Sequence, residues 1–301
     1  MLTAVSSHYL ELIDSVRRNN RSCSTNIFLN AHELLDTLKE HETLLFQLNC
    51  QAVFLFVRYH NSYYDMIYVC STEIFPKLAE NPLFLEFIRK TDLPVRVGIT
   101  GGYDKINEDA EIFKQCGFTQ NRTVGKVSFN APKNEYAEHF INTSSFLAAK
   151  KNENDTPNNN LVIAFADIAD AREIFELLCE EFDLIEDSVP ELDQIESDIK
   201  KKFIAIIRRE GKIIAVNYYR IKNRIRSCIY EYVKKDFRTN GTMFLLNNFV
   251  NKHIAENENV IRTYGWRDIT KKRLINVYRA LGENFCNIYT TYLLFENEQK
   301  I

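Results

Sequence analysis

The chain has 301 residues, 45% hydrophobic and 26% charged, the balance of a globular protein long enough for two ordinary domains. Its 38 basic and 41 acidic side chains leave a formal net charge of −3, which argues against a general nucleic-acid binder with a basic face but not against a local basic pocket. The longest apolar runs, Ala52–Val57 and Leu161–Ala166, are far too short to span a bilayer, so no membrane partner is expected.

Met1–Asn20 has no basic start followed by an apolar run, because Glu11 and Asp14 interrupt it, and no signal peptide is expected. The seven cysteines are scattered, odd in number and without a Cys-x-x-Cys pair. They read as reduced, mostly buried thiols of a cytoplasmic protein.

In chain order, Ala52–Arg58 and Tyr63–Cys70 read as strands around a His60-Asn61-Ser62 turn. A helix over Leu83–Arg89, a strand over Pro94–Ile99, a helix over Asn107–Cys116 stopped by Gly117, and a strand over Thr123–Phe129 follow. Lys150–Asn160 has no apolar residue and a central proline, so it reads as a surface linker. Beyond it come a strand at Leu161–Phe165, a helix at Asp170–Glu180, and a helix opened by Pro190 with Leu192, Ile195 and Ile199 on one face. Strands at Phe203–Arg208, Lys212–Arg220 and Arg224–Val233 are separated by turns at Glu210-Gly211 and Lys222-Asn223. A helix at Thr242–Ala255, a strand at Val260–Tyr264, a helix at Thr270–Leu281 stopped by Gly282, and a strand at Cys286–Phe295 complete the chain. The expected fold class is therefore α/β, with mixed, mostly antiparallel sheets flanked by helices. The halves end alike, around Gly117 and Gly282, which suggests an internal duplication with domains at 1–149 and 161–301.

The segment Tyr232–Met243 carries the strongest chemical signal. A strand ends, a polar loop with Arg238 and Gly241 follows, and a helix begins. Unpaired backbone N–H groups at the positive end of a helix suit a phosphate or pyrophosphate, and Gly241 permits close approach or a positive φ. The same letters also suit an ordinary strand-to-helix connection. Trp266, just past a strand end, reads as a substrate contact or as a packing aromatic at a rim. Tyr278 taken alone reads as a core tyrosine with a satisfied hydroxyl. Gly101-Gly102 lacks a Walker lysine and reads as a turn. The six histidines show no metal spacing, and no Ser/His/Asp set is suggested, so no metal is expected.

Together these segments resemble the GNAT superfamily, the Gcn5-related N-acetyltransferases. That family's Gln/Arg-x-x-Gly-x-Gly/Ala cofactor motif, after its fourth strand, is matched by Arg238-Thr239-Asn240-Gly241-Thr242-Met243, with Met243 where a small residue is usual. Its tyrosine four residues before a glycine is matched by Tyr278 and Gly282. The resemblance covers Leu161–Phe295 in element order. The first half shares only the later elements, with Phe113, Gly117 and Phe118 at the matching place and Glu73 in the corresponding loop, so it is expected not to bind CoA.

The resemblance implies two tandem GNAT-like domains, the first degenerate. It implies direct acyl transfer from acetyl-CoA or another acyl-CoA, as cosubstrate, to a primary amine of a small molecule or peptide. Tyr278 would protonate the departing thiolate and Glu231 would act as base. The Val233 N–H would meet the oxyanion, residues 238–243 would hold the pyrophosphate, and Trp266 would touch the acceptor. The expected assembly is a monomer whose domains form a pseudo-dimer, or a homodimer. The alternative is a catalytically inactive binding or scaffold protein on the same frame.

Overall fold

A computed structural model describes residues 2–27, 31–130, 161–185, 187–238, 241–272, 275–276, 279 and 284–296. They divide into two compact units, Met1–Val124 with Asn287–Ile301, and Gly125–Cys286. Lys150–Asn160, expected as the linker, lies outside the described residues.

The first unit contains β1 (Cys23–Thr25), β2 (Thr43–Leu48), β3 (Ala52–Tyr59), β4 (Tyr63–Ser71) and β5 (Val95–Gly101), with helices α1 (Leu2–Asn19), α2 (Ala31–Glu40), α3 (Pro82–Arg89) and α4 (Tyr103–Gln115). β2, β3 and β4 form an antiparallel meander, and β4 begins a parallel pairing with β5. Along β3, Phe54 and Phe56 enter a core with Phe84, Ile88 and Phe113, while Val53, Leu55 and Val57 enter a second core with Ile13, Val16, Leu34 and Leu38. Both faces of the strand are buried, which is why its sequence is apolar without interruption. Elements at α1, β1 and β2 have no counterpart among the sequence expectations. The apolar residues of α1 are mixed with charge, β1 is three residues long, and the apolar run of β2 is short, so packing gives each its partner face.

α4 stops as expected at Gly117, whose φ of 97° lies in the left-handed region. Phe118 N–H donates to the Phe113 carbonyl and Gly117 N–H to that of Lys114, a double closure that needs a residue without a Cβ.

The second unit contains β7 (Leu161–Phe165), β8 (Ile204–Arg209), β9 (Lys212–Lys222), β10 (Ile225–Val233) and β11 (Arg262–Asp268), with α5 (Ala171–Glu181), α6 (Leu192–Lys200) and α7 (Thr242–Asn257). β7 to β10 are antiparallel neighbours in order, and β10 pairs parallel with β11. Two-residue turns join β8 to β9 at Glu210-Gly211 and β9 to β10 at Asn223-Arg224, every one of these residues at positive φ, the geometry that matches strand twist in tight hairpins. Ile204 and Ile206 face α5 and α6, and Ala205 and Ile207 face α7.

The two long strands β6 (Thr119–Asn130) and β12 (Asn284–Phe295) are divided between the units. The second compact unit, Gly125–Cys286, has other bounds than the 161–301 expected for the second domain. From Asn287, where φ is 55° in mid-strand, the chain belongs to the first unit, and Tyr289–Phe295 pair antiparallel with Val95–Gly101 of β5. Leu293 and Phe295 complete the first unit's core. Chain order suggested otherwise, but ladder partners are set by free strand edges, which periodicity does not record. Among the described residues no helix is long and apolar enough to cross a membrane.

Leu293→Ala is expected to destabilise the first unit by about 2–4 kcal/mol, as for other buried large-to-small changes. Hydrogen exchange should quicken at the β5 amides Val97 and Ile99 before those of β8; equal loss in β8 would place the last strand elsewhere.

Candidate functional site

The second unit opens between β10 and β11. The two strands are in register only from Ile225–Ser227 opposite Arg262–Tyr264. The pairing with β11 stops there, while the other edge of β10 stays paired with β9 as far as Val233 through a bulge between Cys228 and Tyr230. Among the described residues no strand pairs with the opened edge. Lys234 N–H donates to the Ile214 carbonyl of β9 at 2.8 Å. Successive strand amides point to opposite sides, so the Val233 N–H faces the opening. The Val233 carbonyl faces the same way and accepts from Arg238 Nε at 2.8 Å.

After Val233 the chain makes a 3₁₀ turn, Lys235–Phe237, and reaches Gly241 at a φ of 69° as the N-cap of the 16-residue α7. Thr242 Oγ1 donates to the Phe237 carbonyl at 3.0 Å and fastens the loop. Gly241 offers no side-chain cap and the first turn of α7 holds no acidic residue, so the helix start keeps its positive potential. Met243, longer than the small residue usual there, packs into the apolar cluster under α7. Arg238 is less available than expected, since its guanidinium also bonds the Glu181 carboxylate at the end of α5. Thr239 and Asn240 lie outside the described residues, as do Tyr278 and Gly282.

Glu231, half-buried on the opened stretch of β10, lies under α7. Asn247 Nδ2 of α7 donates to its Oε1 at 3.1 Å, and Asn247 Oδ1 accepts from Asn217 Nδ2 of β9 at 2.5 Å. Arg267 Nη2 stands 3.9 Å from Glu231 Oε2. Arg267 lies over Gly265, where a Cβ would come within 3.1 Å of Nη1, so the glycine makes room for the guanidinium. One helical turn on from Asn247, Asn251 Oδ1 accepts from the buried Arg226 at 2.7 Å. Trp266, 42% exposed, follows Gly265 on β11 and alternates to the face away from Arg267. Asn217, Asn247 and Arg267 were not singled out from the sequence. The one signal was an asparagine inside the apolar strand Ile213–Tyr219, where a polar group must find a partner. Among the described residues no cluster of His, Cys, Asp and Glu fits a metal.

No protein-family profile matches the sequence, and no curated protein does. Solved structures do. A tandem GNAT protein from the clavulanic acid biosynthesis pathway superposes with a TM-score of 0.58 at 10% identity, over 98% of this chain and 96% of that one. The chain has a tandem GNAT fold. The GCN5-related N-acetyltransferase of Sphaerobacter thermophilus matches with a TM-score of 0.52 at 10% identity, over 91% of this chain and 88% of that one. That of Kribbella flavida matches with 0.50 at 12% identity, over 98% and 95%. Identities this low establish the fold alone. Within it, β10 and β11 stand as the fourth and fifth strands of a GNAT domain, and α7 as the helix between them.

Asn247→Asp would put a carboxylate against Glu231. Mutual repulsion raises the folded-state pKa of the pair, so stability is retained at low pH and lost as pH rises through the carboxylate range. Relative to wild type, denaturant unfolding should show a loss of about 1–3 kcal/mol at neutral pH and a smaller one in acid. A pH-independent difference would dissociate Asn247 from Glu231.

Proposed function

We propose that the protein is an N-acyltransferase that moves an acyl group from acyl-CoA to a primary amine of a small molecule or peptide, working in the opening of the second unit. The observation that supports this most is the parting of β10 from β11 beyond Ser227, with no strand added there among the described residues, close in the chain to left-handed Gly241 at the start of α7, which has no side-chain cap. Such an edge accepts an extended, amide-bearing arm as an added strand, and the helix start accepts its pyrophosphate.

In this reading the amine attacks the thioester carbon while the Val233 N–H holds the developing oxyanion. Glu231, oriented by Asn247, takes the amine proton directly or through water. The carbon–nitrogen bond forms, the carbon–sulfur bond breaks, and Tyr278 gives the leaving thiolate its proton. Arg238 keeps the loop folded through Val233. Its exposed pair with Glu181 is of the kind worth little, so a phosphate can take the place of the carboxylate.

A second reading, a catalytically inactive binding or scaffold protein, draws on the Glu231–Arg267 pair, which ties up the base. Acetyl-CoA at a hundredfold excess over its Kd should stabilise the protein by about 2.7 kcal/mol in thermal melts. Gly241→Asp, which adds bulk and like charge beside the pyrophosphate, should remove that shift while the protein still melts cooperatively. With a panel of amines, thiol release that falls about 10²–10⁴-fold in Tyr278→Phe supports catalysis; binding without thiol release from any amine supports the scaffold.

A further inference from the structure

The first unit has the same divergence of strands, and it is filled. β4 is in parallel register with β5 only at Tyr64–Asp65 opposite Val95–Arg96. Beyond that point β1 enters, and Cys23, Ser24 and Thr25 pair antiparallel with Ser71, Cys70 and Val69 on β4. Asn26 sits at the apex. Its Nδ2 donates to the Met66 carbonyl of β4 at 2.8 Å and to the Gly98 carbonyl of β5 at 3.2 Å, and its Oδ1 accepts from Tyr68 N–H at 2.7 Å. One side chain thereby serves backbone groups on both parted strands.

The rest of the segment is fastened as fully. Thr25 Oγ1 donates to the Tyr68 carbonyl at 2.7 Å, Thr72 N–H to the Ser22 carbonyl at 3.2 Å, and the Ser22 and Thr72 hydroxyls meet at 2.6 Å. Ser24 donates to the buried Asp109 of α4 at 3.3 Å, and Lys105 holds the other oxygen of that carboxylate at 2.5 Å.

We infer that the first unit keeps the ligand crevice of the GNAT fold but carries its own occupant, residues Ser22–Asn26, bound as an added strand where the arm of a cofactor would lie. The surroundings agree. After β4 the chain turns into a 3₁₀ helix with a proline in its first turn, so it presents no row of helix-start amides comparable to α7. Glu73 stands beside this end, among the residues lining a cavity of about 530 Å³ with Asn20, Gln51 and Thr72. Phe113, at the place that corresponds to Tyr278, has no hydroxyl and is fully buried. The chain then has one open cofactor crevice where its fold has two. The stoichiometric part of this inference rests on the acyl-CoA reading above; the occupied crevice does not.

Hydrogen exchange on the full chain separates the two. The Asn26 and Tyr68 amides should be protected without ligand and unchanged by saturating acetyl-CoA, while titration calorimetry finds one acetyl-CoA per chain. Asn26→Ala should speed exchange at Tyr68 by about tenfold or more, the loss of a part-buried hydrogen bond; Thr25→Ala, a smaller change at the same strand, guards against a variant that fails to fold. Exchange at Asn26 as fast as in unstructured chain, or two acetyl-CoA per chain of which one is kept in Gly241→Asp, overturns the inference. Protected amides with no acetyl-CoA bound sinks the acyl-CoA reading and leaves the occupied crevice standing.

Discussion

Two parallel strands that part company expose backbone N–H and C=O groups along their inner edges, and those groups must be satisfied by something. Most of what is distinctive here follows from how each unit meets that demand. In the first unit a short strand and one asparagine side chain fill the gap. In the second, a bulge turns β10 away from β11 and the arginine of the following loop takes the Val233 carbonyl.

The opening depends on the polar groups beneath α7. A helix that packs on a sheet usually buries a fully apolar stripe, but α7 turns Asn247 and Asn251 toward β9 and β10. Those amides bond Asn217 Nδ2, the Glu231 carboxylate and Arg226 Nη1 in turn, so a charged residue on the opened strand is held in a defined direction. The arrangement gives up some apolar burial for a fixed carboxylate, and a buried polar network of this kind tolerates the loss of no single member well. Gly265 belongs to the same group, because only a residue without a side chain lets Arg267 lie flat toward Glu231.

The apolar frame around these features is conventional, with each unit's central strands buried on both faces. The aromatic packing is heaviest in the first unit, where Phe54, Tyr68, Phe75, Phe84 and Phe113 interlock. Burial also raises the Cys70 and Cys116 thiols to about 12, which keeps them protonated and inert. The filled crevice sits against this cluster through Tyr68, so its occupant is fastened to the packed aromatic core of the unit.

The sequence by itself determined the elements whose signals are local. The hairpins around Asn61, Gly211 and Asn223, the stop at Gly117, the apolar strands β3, β4, β8 and β9, and the loop from Val233 to Gly241 were all legible, because turn chemistry and periodicity act over a few residues. Tertiary structure alone decided the pairings. Nothing in Cys23–Asn26 marks it as a strand, since it has no alternation and becomes one only against the parted edge of β4. Nothing in Tyr289–Phe295 says that its partner is β5. The union of Asn217, Asn247, Glu231 and Arg267 likewise joins residues from three strands and a helix. Hydrogen-bond partners distant in the chain leave no periodic trace in it, so the strand-to-helix step after β10 could be read from the sequence and the strand beside β4 could not.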